Sequence, residues 1–190
     1  MNPLLRKKEV RFIISGVSFE SACPHAVLEK LNLGHAESSM PTIGCEVKTV
    51  KYNCITFDSW IIGYNGVKMR PLIMHLVLRP THAQLHGMLF VVDCADEHNL
   101  PWSVDELRWI LEADEFEDVP LLFLAHGHDA RGARPLAEVE REIGGVIRGQ
   151  KWHIQPVNLT SGQGLKEGLE WLVQSALEYD DEHSSTCTIQ

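Results

Sequence analysis

Apolar and polar positions change rhythm along this chain in a way that separates strands from helices. Short apolar runs bounded by polar or turn residues fall at 12–15, 46–52, 54–60, 88–93, 120–125 and 152–157, each of strand length. Between and after them the apolar spacing widens to that of a helix at 26–33, 103–113, 136–143 and 165–177. In the last of these Leu165, Leu169, Leu172, Val173 and Ala176 share one face, while Lys166, Glu167, Glu170 and Gln174 share the other, the pattern of a core-packing helix. The alternation predicts an α/β domain with a mostly parallel six-stranded sheet and helices on both faces. The runs 47–52 and 54–60 are too close for a helical crossover, so they predict a hairpin around Asn53 and one antiparallel edge strand. In such a sheet ligands sit beyond the carboxyl ends of the strands, here 16–25, 60–66, 125–129 and 158–162.

Composition narrows the classes. The 190 residues, 44% hydrophobic and 23% charged, suit one domain with a sizeable core, with residues 1–10 as an N-terminal extension, 11–179 as the domain and 180–190 as a polar tail. A net charge of −9 argues against binding driven by a nucleic-acid backbone. Five cysteines with no C-x-x-C pair suggest neither a disulfide framework nor structural zinc, and point to a reducing, cytoplasmic setting. Residues 1–10 are too short and too charged for a signal segment, and no apolar stretch approaches membrane-spanning length.

The loop Gly16-Val-Ser-Phe-Glu-Ser-Ala-Cys-Pro-His25 stands between a strand and a helix, where a phosphate-cradling loop belongs. Such a loop, G-x-x-x-x-G-K-[ST], needs its lysine to neutralise phosphate and its hydroxyl to hold Mg²⁺. Counting forward from Gly16 puts Ser21, Ala22 and Cys23 at the last three motif positions, and counting back from the helix puts Cys23, Pro24 and His25 there. Neither register supplies a cation, Pro24 lacks an N–H, and Glu20 adds a carboxylate that repels polyphosphate. Cys23, His25, His126 and His128 could meet at the strand ends and take a Zn²⁺, but the preferred reading is of polar residues on an unused loop, and no metal site is assigned.

Further along the chain stand Pro41-Thr-Ile-Gly44, Trp60-Ile-Ile-Gly63, Arg70-Pro-Leu72, Phe90-Val-Val-Asp93, Asp105-Glu-Leu107 and Thr160-Ser-Gly-Gln-Gly-Leu-Lys-Glu-Gly-Leu-Glu-Trp-Leu172. In this order they resemble the ADP-ribosylation factor (Arf/Arl) family of small GTPases, from about residue 11 to residue 177. The resemblance implies a small-GTPase fold and, in ordinary members, a GTP/GDP switch that recruits effectors to membranes. It also implies that Gly16, Thr42, Gly63 and Asp129 occupy nucleotide-binding positions. Here they are vestigial, because their partners are replaced. Ile61 stands for the carboxylate of the family's W-D-x-G-G-Q segment, and Asn65 or Gly66 for its water-orienting glutamine. The base motif N-K-x-D reads His126-Gly-His-Asp129, which keeps the carboxylate and loses the Asn and the base-packing Lys. Asn158-Leu-Thr160 matches the last guanine loop, which acts through main-chain N–H groups. Thr42 matches the threonine that closes over Mg²⁺, and its competing reading is a turn residue after Pro41.

Four lost charged hydrogen bonds at roughly 1.5–3 kcal/mol each remove on the order of 6–12 kcal/mol, about four to eight decades of affinity. The expectation is therefore an Arf-like pseudo-GTPase, a nucleotide-independent binding module related to vesicle traffic, with no catalytic residue and no cofactor. The alternative is a divergent GTPase that binds GTP and Mg²⁺ weakly through main-chain amides and Asp129. Partner binding is expected through the hairpin and the switch-like surface, with Trp60 retained at a position where family effectors read aromatics, and simple core packing as its competing reading. Cys187-Thr-Ile-Gln190 fits a C-a-a-X farnesyl acceptor and implies peripheral membrane association, and Asn2 stands where a myristoylated glycine is usual.

Overall fold

The computed structural model describes residues 10–17, 24–31, 37–42, 45–52, 55–62, 85–96 and 98–184. β1 (Val10–Gly16) is followed by α1 (Pro24–Lys30) and by three strands: β2 (Glu37–Thr42), β3 (Cys45–Tyr52) and β4 (Ile55–Ile62). Then come β5 (Gly87–Asp93), α2 (Asn99–Ile110), a short 3₁₀ turn (Asp114–Phe116), β6 (Leu121–His126), α3 (Leu136–Gly144), β7 (Trp152–Val157) and α4 (Leu165–Ser184).

All seven strands form one sheet in the order β2-β3-β4-β1-β5-β6-β7. β4, β1, β5, β6 and β7 run parallel, as crossover helices require. β3 runs against β4, and the Tyr52↔Ile55 pairing closes the expected hairpin around Asn53. The α/β expectation is met, with two corrections. The sheet has seven strands rather than six, because Glu37–Thr42 pairs antiparallel with β3. β3 is consequently not the edge, and that position passes to β2.

Alternation along the strands sends side chains to two cores. Phe12, Ile14, Leu89, Val91, Leu122 and Leu124 pack with Val27 and Leu28 of α1 and Leu165, Leu172, Val173 and Ala176 of α4. Ile13, Met88, Phe90, Val92, Leu121, Phe123 and Ala125 pack on the other face with Leu100, Leu107 and Ile110 of α2 and Val139 and Ile143 of α3. The face of α4 expected from its spacing is thus the buried one. α4 runs on through Ser184, into the segment read from sequence as tail.

Candidate functional site

Because five strands are parallel, Gly16, Ile62, Asp93, His126 and Val157 all terminate at one end of the sheet. Gly16 is there for a reason of packing. It lies opposite Val91, and a Cβ on it would stand 2.8 Å from the Val91 carbonyl oxygen and 3.3 Å from Val91 Cβ. Only glycine lets β1 and β5 approach this closely at the mouth of the loop. Gly16→Ala is expected to cost about 1–3 kcal/mol, read as a lower urea midpoint in the absence of nucleotide.

The loop itself, including Glu20, Ala22 and Cys23, lies outside the described residues, as do Gly63, Asn65, Gly66 and Cys187. Its start is held. The Asn99 side-chain amide donates to the Val17 carbonyl at 3.1 Å, and the Ser103 hydroxyl donates to Asn99 Oδ1 at 2.8 Å. Asn99 and Ser103 are each 1% exposed. Sequence reasoning missed this tether. The signal was a polar pair four residues apart, which a helix places one turn above the other.

Thr42 is the last residue of β2, opposite Cys45, which in turn lies opposite Ile62. At about 4.8 Å per strand, three spacings put the β2 backbone roughly 14 Å across the sheet from β1. The structure therefore does not bring Thr42 together with Gly16. Ile61 and Trp60 lie within β4, opposite Glu46 and Val47.

At the base-motif positions, β6 ends at His126, which pairs with Asp93 and Val157 on its two sides. Its carbonyl accepts the Cys94 N–H at 2.8 Å, and its Nδ1 accepts the Leu159 N–H at 3.3 Å. Nδ1 must be bare to accept, so the ring proton sits on Nε2. Gly127 follows with φ +68°, and a Cβ there would stand 3.1 Å from Ala95 Cβ and 3.3 Å from Asp93 Oδ1. A lysine at this position would need both a left-handed backbone and room that Ala95 occupies. Asp129 lies exposed in the turn beyond. Asp93 Oδ1 accepts the Ala95 N–H at 2.9 Å. Burial, and then the Asp93 carboxylate, pushes the Cys94 thiol up to about 11, so Cys94 stays an unreactive thiol at neutral pH.

The last loop keeps its donors to itself. Thr160 N–H and Ser161 N–H both reach Asn158 Oδ1 at 3.0 Å, the Asn158 N–H reaches the Gln163 carbonyl at 3.0 Å, and the Gly162 N–H reaches the Asn158 carbonyl at 2.7 Å. Gln163 N–H donates to the Ser161 hydroxyl at 3.3 Å. Among the described residues no three His, Cys, Asp or Glu side chains gather as a metal site.

A parallel five-stranded core flanked by antiparallel strands, with the carboxyl ends of its five strands at one end of the sheet, defines a protein of the small-GTPase fold. The profile of the ADP-ribosylation factor family matches residues 1–176. The chain belongs to that family. Members ordinarily bind GTP and Mg²⁺, effectors and membranes, and no helix among the described residues is long and apolar enough to cross a bilayer.

Proposed function

We propose that this chain is an Arf-like pseudo-GTPase, a nucleotide-independent protein-binding module of intracellular vesicle traffic. The observation that carries the reading is Gly127. Where an ordinary member places the lysine that packs on the base, this chain has a left-handed glycine, on which an added Cβ would stand 3.1 Å from Ala95 Cβ. The platform under the base is absent, and the present backbone leaves no unstrained place for it. The residues here do not fit a guanine nucleotide, and the P-loop sequence, without its ammonium and hydroxyl, agrees from the phosphate side. Partner binding falls to the β3–β4 hairpin and the surface beside it, with Trp60 as anchor, and Cys187 supplies a farnesyl attachment point for peripheral membrane contact.

Calorimetric titration with GTP, GDP and a non-hydrolysable analogue, with and without Mg²⁺, tests this. No binding in the micromolar range is expected. An affinity of about 1 μM or tighter would overturn the reading in favour of a divergent GTPase, for which the exposed Asp129 carboxylate is the remaining base-reading group.

A further inference from the structure

We propose that this end of the sheet is held together by the protein alone: His126 and Asn158 close the base-side loop from within, and Asn99 fixes the Val17 carbonyl just past β1, forming an intramolecular lock. The inference rests on the nucleotide-independent reading above. A loop built to read a ligand holds some main-chain donors ready for it. Here six consecutive N–H groups, from Asn158 to Gln163, each donate within the chain. Leu159 N–H, in the middle of the stretch that matches the guanine loop, is taken by an imidazole.

His126 is the centre of the lock because of its chemistry and its place. It stands between β5 and β7 in the ladder, so one residue joins the 93–95 turn, the end of β6 and the 158–163 loop. Its Nδ1 is bonded to Cγ, as the Oδ1 of an asparagine would be, so an acceptor remains at the same remove from the backbone. The imidazole spends that acceptor on the loop. On the other half, the buried Asn99–Ser103 pair fixes the Val17 carbonyl, so the first residue past β1 is tied to α2 by the protein alone. A donor already bonded inside the fold gives a ligand only the difference between two hydrogen bonds, which is small. The lock therefore holds these loop ends in place without a ligand.

Amide hydrogen exchange on the nucleotide-free full chain, resolved by NMR, reads the lock directly. The Leu159, Thr160 and Ser161 amides are expected to be protected. His126→Ala is expected to speed exchange at Leu159 by about tenfold and leave Thr160 and Ser161 nearly unchanged. Asn158→Ala is expected to do the reverse. His126→Asn keeps an acceptor and is expected to keep Leu159 protected, and equal acceleration in both His126 variants would assign the effect to lost packing and overturn the proposal. Should His126→Ala not fold, the parent protein decides: a Leu159 amide exchanging at the rate of an unstructured chain overturns the lock. The two readings fail separately. Protected amides in a protein that binds GDP with micromolar affinity sink the pseudo-GTPase reading alone, and unprotected amides in a protein that binds no nucleotide sink the lock alone.

Discussion

Phe123→Ala is expected to destabilise the protein by about 3–5 kcal/mol. Phe123 is fully buried in the middle of β6, with β5 and β7 fixed on either side by parallel ladders. Its ring meets Phe90 at 6.2 Å and 57° and Trp152 at 6.0 Å and 78°, tilted and edge-on arrangements that favour aromatic pairs. Truncation removes the ring from both contacts and leaves a cavity that the sheet cannot collapse to fill. For a domain of this size each kcal/mol lowers the melting temperature by about 2–4 °C, so a fall of roughly 6–20 °C is expected. Circular dichroism on heating or in urea measures it. A loss below about 1 kcal/mol would show that this face of the sheet is not packed as described.

The parts of the fold that were legible in the sequence are those whose signal is local. β5, with Met88, Phe90 and Val92 on one face and Leu89 and Val91 on the other, is buried throughout and reads as an unbroken apolar run. The spacing of α4 marks its buried face without help from any neighbour. β2 is different. Glu-Ser-Ser-Met-Pro-Thr has no alternation and a proline, and it is a strand because the edge of β3 offers it a ladder. α2 starts at Asn99, ahead of the expected 103, since Pro101 sits in the first turn, where its missing N–H has no helical partner to lose. α1 likewise begins on Pro24, which takes the position that suits it best.

The site was legible as a set of replacements and illegible as an arrangement. Sequence shows that Asn and Lys are missing from the base motif; it does not show where the imidazole of His126 goes, because the N–H that donates to it, 33 residues away, reaches it only through the β6–β7 pairing. Asn99 is hidden for the same reason, since its amide bonds a carbonyl 82 residues earlier. Thr42 carries a motif match, yet its strand sets it at the far edge of the sheet, a placement that depends on pairing between β2 and β3. Motifs report residue types, whereas long-range hydrogen bonds decide which of them meet.

Gly164→Ala is expected to cost about 2–5 kcal/mol in total, from two separable sources. Gly164 has φ +81°, and a left-handed backbone at a residue bearing a Cβ accounts for about 1–2 kcal/mol. The remainder comes from contact: the added Cβ would collide with the Pro156 carbonyl oxygen, which also accepts from the Gln155 side-chain amide at 3.1 Å. That oxygen is backbone of β7 and cannot rotate away, so the loop leading into α4 must shift instead. Gly162 is the internal comparison, with φ +86° and nothing within 4 Å of its Cβ position, so Gly162→Ala carries the conformational cost alone. Urea denaturation of both variants yields the difference, expected to be about 1–3 kcal/mol. The shift should also reach the lock, since Asn158 and Gln163 bridge the base of the same loop, and Leu159 exchange is expected to quicken in Gly164→Ala and not in Gly162→Ala. Equal costs for the two glycines would mean that the loop does not press against the end of β7, and the closed arrangement around His126 would lose its mechanical support.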